Sequence, residues 1–297
     1  MHAICICHFL KKKHNINKRK VNPQKMNAFL YTIIFIIGTV FGSFFTLAVY
    51  RIPRKMDITH THSFCPNCNH KLGFFELIPV LSYIFLHGKC KNCGKKIRIR
   101  YFLLEILSGL TFLTLALSMK IDIYNINIVT IINFAFWSLY LVAIFIIAGI
   151  DKELKKIEKS VLYYAILIST MYIIYLCIMD NSSIYRYAMY LIAYIILLMI
   201  DNLNLRNHAK ESYTISTLIL LVIMAIMTNE IITISTGIVA IIIVLSIIVM
   251  QKLKNLLNKS KKQNVDIVSK MNIGLYLGIS NIICFLLIMF INNWILV

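Results

Sequence analysis

The chain has 297 residues, of which 59% are hydrophobic and 14% charged. A soluble domain carries about 25% charged residues, so a water-soluble enzyme with one core is excluded. The net charge of +19 is not a nucleic-acid footprint: the basic residues sit in short loops beside apolar runs, where the positive-inside rule accounts for them.

In chain order, the first 25 residues, MHAICICHFLKKKHNINKRKVNPQK, hold seven Lys or Arg and no acid. Apolar runs near bilayer-spanning length follow. They predict spans at Ala28–Tyr50, Tyr101–Met119, Ile128–Ile150, Ser160–Met179, Ile184–Ile200, Ser212–Met227, Ile231–Met250 and Met271–Leu296. The fold class is thus all-α, a polytopic membrane protein of about eight transmembrane helices. Segments 51–100, 151–160, 201–212 and 251–270 carry ten, four, two and six Lys or Arg. The loops on the other side carry Lys120 alone, with Arg186 just inside the fifth span. This asymmetry predicts that segment 51–100 is cytoplasmic. The basic residues 1–25 would then lie outside, so they are read either as a translocated tail or as sequence upstream of a true start at Met26, the favoured reading. No small-residue cleavage site follows the first apolar run, so no cleavable signal peptide is expected.

Segment 51–100 contains CPNC at Cys65 to Cys68 and, after 21 residues, CKNC at Cys90 to Cys93. Each C-x2-C turn aims two thiolates at one point, and two such turns complete a tetrahedral sulfur shell suited to Zn2+. With Cys65, Cys68, Cys90 and Cys93 as ligands no position stays open, so the site is expected to be structural, folding a loop too polar to hold itself. A cytoplasmic location keeps the thiols reduced. The competing readings are incidental pairs or a redox pair. Lys89, Lys91, Lys95 and Lys96 offset the negative charge of a four-thiolate zinc site, while His60, His62, His70 and His87 are surplus to a filled shell.

Three stretches resemble the type IV prepilin peptidase family. GSFFTLAVYRIPR, Gly42 to Arg54, is similar to the family's GSFLNVVIYRLPR. CPNCNHKLGFFELIPVLSYIFLHGKCKNCGKKIRIRYFLLE, Cys65 to Glu105, follows the family's cysteine segment almost position for position. KMNIGLYLGI, Lys270 to Ile279, resembles the start of its last span. The resemblance implies a membrane aspartic endopeptidase that removes the leader of prepilin-like proteins at the cytoplasmic face of a bacterial plasma membrane. In many members it also implies N-methylation of the product with S-adenosylmethionine. It divides the chain into a tail (1–25), a first span (26–50), a four-cysteine domain (51–100) and a peptidase-like helical domain (101–297).

The family's two catalytic aspartates lie in I-D-x-x-x-x-x-I-P and G-x-G-D-x-K. AGIDKELKKIEKS, Ala148 to Ser160, offers Asp151 for the first, with Ile157 in place and Glu158 where proline stands. A carboxylate at a membrane boundary is costly unless it is used; the bland alternative is a helix-end acid balanced by Lys152 and Lys155. The second motif is missing. Its place reads SYTISTL, Ser212 to Leu218, with Ile215 at the aspartate position, and no glycine occurs between Gly149 and Gly237. An aspartic protease needs two carboxylates sharing one proton. Asp201 and Glu211 are candidate substitutes, each with a plainer reading as a helix-end acid. Glu105 is expected to pair with Arg98 or Arg100, and Arg51 to anchor the first span in lipid phosphates. The sequence therefore supports an aspartic prepilin peptidase, or a catalytically inactive relative that binds pilin-like helices or an assembly partner. The almost charge-free spans argue against a transporter.

Overall fold

The computed structural model describes residues 23–58, 62–124, 126–179, 184–206, 213–257 and 272–295. The predicted basic tail lies almost wholly outside them, as do His60, Glu211 and most of the basic connector before the last span. The helices are α1 (Pro23–Arg51), a one-turn α2 (Leu81–Phe85), α3 (Ile99–Ser118), α4 (Ile128–Leu154), α5 (Lys159–Met179), α6 (Ile184–Arg206), α7 (Tyr213–Thr228), α8 (Glu230–Leu257) and α9 (Ile273–Trp294). Among the described residues, seven helices are long and apolar enough to cross a membrane. The predicted sixth span is the shorter α7, with 16 residues. At 1.5 Å per residue it reaches roughly 24 Å, against about 30 Å for a hydrocarbon core.

Predicted and observed limits differ where charge was read as a stop. α4 runs four residues past the expected Ile150, so Asp151 lies in its last turn rather than beyond it. The helix ends at Lys155, which turns left-handed (φ 54°) and returns its N–H to the Asp151 carbonyl at 2.9 Å. α8 continues from Met250 through QKLKNLL because Gln, Lys and Leu are good helix formers even outside lipid.

The most extensive contact in the bundle joins α1 to α3. It rests on the G-x-x-x-G pair Gly38 and Gly42. A methyl group on Gly42 would lie 2.7 Å from the Cα of Glu105, and one on Gly38 2.9 Å from the Cα of Gly109. Between helices in lipid no hydrophobic force is available, so close backbone approach through small residues supplies the van der Waals attraction instead. α1 and α3 lean on α4 and α9, and α9 also packs on α8; α5, α6 and α7 close the other side. Buried polar bonds pin the centre. Tyr140 on α4 donates to Asn281 on α9 at 2.6 Å, and Asn281 donates to Thr236 on α8 at 3.3 Å. α4 is the most enclosed span, while α6 and α8 bare most of their apolar surface, as lipid-facing helices do.

Candidate metal centre and carboxylate site

Residues 62–97, between α1 and α3, fold around the two cysteine pairs. Each pair forms the same knuckle. Cys65 N–H donates to His70 O and Asn69 N–H returns to Cys65 O, both at 2.9 Å; Cys90 N–H donates to Lys95 O and Gly94 N–H to Cys90 O, again at 2.9 Å. The turn in each closes on a left-handed residue, Asn69 (φ 55°) and Gly94 (φ 68°), a conformation that Asn and Gly take at little cost. The four sulfurs lie within 4.8 Å of one another, with Cys65–Cys93 at 3.9 Å and Cys68–Cys90 at 4.0 Å. Tetrahedral zinc with bonds of ~2.3 Å would set sulfurs about 3.8 Å apart, so the cluster can hold a metal ion. The Lys95 N–H bonds the Cys93 sulfur and draws its thiol down to about 6, which favours the thiolate a metal needs. Asn67 and Asn92 each aim an amide at the opposite knuckle's sulfur, at 3.6 and 3.7 Å. His70 is occupied by Glu76 at 3.3 Å, and the Gly73 N–H and His70 together hold the Glu76 carboxyl below its usual range.

Asp151 is fully enclosed, with 0% exposure. Its Oδ1 accepts the Tyr213 hydroxyl at 2.9 Å and its Oδ2 accepts the Leu275 N–H at 2.9 Å. The Gly274 N–H donates to the Tyr213 oxygen at 3.0 Å, so α4, α7 and α9 meet in one hydrogen-bonded knot. α9 begins without a cap of its own: Asn272 makes no side-chain cap bond and instead donates to Lys152 O at 3.3 Å. Asp151 therefore caps α9 from another helix, answering one of the N–H groups every helix start leaves open. Gly274 permits this approach, since a methyl there would stand 3.2 Å from Oδ2.

The other predicted acids are placed differently. Asp201, in the last two turns of α6, pairs with Lys159 of α5 at 2.7 Å. Ile215 is buried on α7. Glu105 does not pair with Arg98 or Arg100 as expected: its Oε2 accepts the Val80 N–H at 2.8 Å, and Arg100 pairs with Glu153 at 2.6 Å. Arg51 is buried, not lipid-facing, and donates to the carbonyls of Asp57 at 2.9 Å and His62 at 3.1 Å, tying the metal loop to α1. The residue sequence reasoning missed is Tyr213. It lies in the stretch read only for a lost aspartate, two positions before Ile215, and a hydroxyl-bearing side chain opening that helix was the available signal.

Residues 36–119 match the Bacterial Peptidase A24 N-terminal domain. The curated relatives matched include three that bear the name prepilin leader peptidase/N-methyltransferase. The Vibrio cholerae protein is 39% identical over 87 residues, 26% of this chain and 34% of its own length. The Myxococcus xanthus protein is 40% identical over 90 residues, 30% of this chain and 27% of its own. The Bacillus subtilis protein is 41% identical over 83 residues, 28% of this chain and 34% of its own. The aligned part thus spans about a third of those relatives. No solved structure matches. Residues 36–119, four-cysteine loop included, are similar to the N-terminal part of the prepilin leader peptidases.

Proposed function

We propose that the chain removes the basic leader of prepilin-like membrane proteins at the cytoplasmic face of a bacterial inner membrane, with Asp151 as its catalytic carboxylate. The observation that carries this reading is that Asp151 lies at the same end of the bundle as the family-matched loop. Glu153, two residues on, reaches α3 through Arg100. Asp151 acts as general base on the attacking water, and Tyr213, in place of a second acid, donates a hydrogen bond to the carbonyl oxygen as it gains charge. Because both Asp151 oxygens are engaged, substrate has to part Tyr213 and the start of α9 from the carboxylate. The basic loops set the orientation through the positive-inside rule. Zn2+ held by Cys65, Cys68, Cys90 and Cys93 shapes the loop and takes no part in the reaction. The name shared by the relatives extends the proposal to N-methylation, for which S-adenosylmethionine would supply the methyl group.

A second reading has its own support. Ile215 stands where the second aspartate belongs, and Asp151 already serves as a helix cap. The chain is then a non-hydrolysing relative that holds pilin-like helices. Co-expression with a candidate prepilin separates the two. Leader loss read by intact mass, abolished in Asp151→Asn, supports hydrolysis. An intact leader on a prepilin that copurifies with the chain supports the second reading, and cleavage that survives Asp151→Asn removes Asp151 from the mechanism.

A further inference from the structure

α2 is apolar on both of its faces. Ser82, Tyr83 and Leu86 look inward and line a cavity between α1, α3 and the metal loop. Leu81, Ile84 and Phe85, at the i, i+3 and i+4 spacing of one helix face, look outward. Leu81 and Ile84 are half-exposed, and Phe85 is 74% exposed. The turn Phe74–Glu76 packs beside α2 and adds Phe74 and Phe75, 77% and 81% exposed, their rings edge to face with centroids 5.7 Å apart. Residues 73–88 contain one charged side chain, Glu76, and it is tied to His70 and the Gly73 N–H. Bare aromatic surface on this scale marks a face that something covers.

Depth and charge identify the cover as lipid. Val80, just before α2, donates to Glu105 of α3 at 2.8 Å; Tyr83 stacks on Phe102 of α3 with centroids 4.9 Å apart; and the Ile97 N–H bonds Gly88 O at 2.7 Å. α2 is thereby fixed against the first two turns of α3, a helix apolar enough to cross a membrane from Ile99 onward. Glu105 stands six residues after Ile99, about 9 Å along the axis. Interfacial apolar faces sit roughly 5–10 Å into the headgroup–acyl boundary, which is the same depth. The backbone suits that place too. The N–H groups of Val80, Ser82, Ile84, Leu86 and Gly88 are all bonded within the chain, as a segment away from water requires. As for charge, exposed lysines flank the apolar stretch, Lys71 before it and Lys89, Lys91, Lys95 and Lys96 after it. Cations beside bare aromatics fit a surface of anionic headgroups.

We propose that Phe74, Phe75, Leu81, Ile84 and Phe85 insert into the headgroup–acyl boundary of a leaflet containing anionic lipid, with the flanking lysines on its phosphates. The metal loop is then a lipid-anchored element, and α2 a stub that dips into the bilayer beside α3 without crossing it. Tyr83 and Phe102 fasten α2 to the span, and the outward rings fasten it to lipid. The anchor sets the height of the cysteine cluster relative to the ends of α1 and α3. It holds whether or not the chain cleaves a leader.

The test uses the metal-loaded full chain in vesicles of phosphatidylcholine with phosphatidylglycerol. Phe75→Trp and Phe85→Trp each add one indole, and the emission gained over the parent is read against brominated acyl chains and against aqueous acrylamide. Unchanged metal content shows that the loop of each variant is folded. Bromine should quench at least about half of the added emission at both positions, and acrylamide little of it, as for rings at headgroup–acyl depth. The bromine effect should fall when phosphatidylcholine replaces the anionic lipid; equal quenching in both overturns the choice of anionic headgroups. Quenching by acrylamide alone places the face in water. Silence to both quenchers places it under protein, a second copy or a partner helix. Either result overturns the proposal.

Discussion

The two parts of the chain, before and after the end of α3, behave differently. The segment from α1 through the metal loop to α3 is held by backbone-level constraints. Knuckle hydrogen bonds repeat atom for atom, four sulfurs converge, and two glycines admit a neighbouring helix. The six helices that follow are held by apolar packing and a few buried polar bonds, and their candidate site is one carboxylate knotted between three helices. The contrast teaches where a sequence can be read directly. Constraints that accept a single residue type, such as a metal ligand or a position with no room for a methyl, leave motifs. Packing that accepts any large aliphatic leaves only a period.

The largest expected effect falls on the first region. Replacing Cys65 and Cys90 together by Ser should drop bound zinc from one equivalent to near none and open residues 62–97 to protease, while the spans stay intact; metal analysis and limited proteolysis read both. A loop that stays protected without metal would show that packing alone holds it and erase the contrast. Next, Gly42→Leu should drive α1 from α3, because even its first carbon would meet backbone at 2.7 Å. A loss of about 1–3 kcal/mol is expected for such overpacking, measured as detergent-unfolding stability; the same change at Gly237, with open space around it, should be nearly silent. In the second region, Tyr213→Phe removes the donor to Asp151 and the acceptor for Gly274. The cost should be about 1–3 kcal/mol, with exchange of the amides at the start of α9 rising in hydrogen-exchange mass spectrometry. The smallest effect concerns pH. In metal-stripped protein the exposed Cys93 should alkylate half-maximally near pH 6, since its thiol sits at about 6. The sign follows from thiolate being the nucleophile: the rate rises as pH climbs through that value.

Much of this architecture was legible beforehand. The spans followed from hydropathy to within a few residues, apart from α1, α4, α6 and α8, whose polar ends are helical too because charge stops insertion into lipid and not helix propagation. The convergence of the four cysteines followed from spacing. Glu105 was misassigned because sequence distance favoured Arg98 and Arg100, whereas its partners are a backbone N–H 25 residues upstream and the Ser43 side chain on α1, which no local side-chain pattern announces. The same holds for Asp151. Its position came from a motif, but its engagement with Leu275 crosses 124 residues and depends on how α9 enters the bundle.

The brevity of α7 has a consequence for this carboxylate. Its 16 residues leave a shortfall of about 6 Å against an average bilayer. The lipid has to pinch inward there, or polar flanks must bridge the gap. Either response draws the aqueous boundary toward the ends of α7, and one of those ends is Tyr213, in contact with Asp151. The deficit in one apolar helix thus brings the aqueous boundary close to an otherwise enclosed acid.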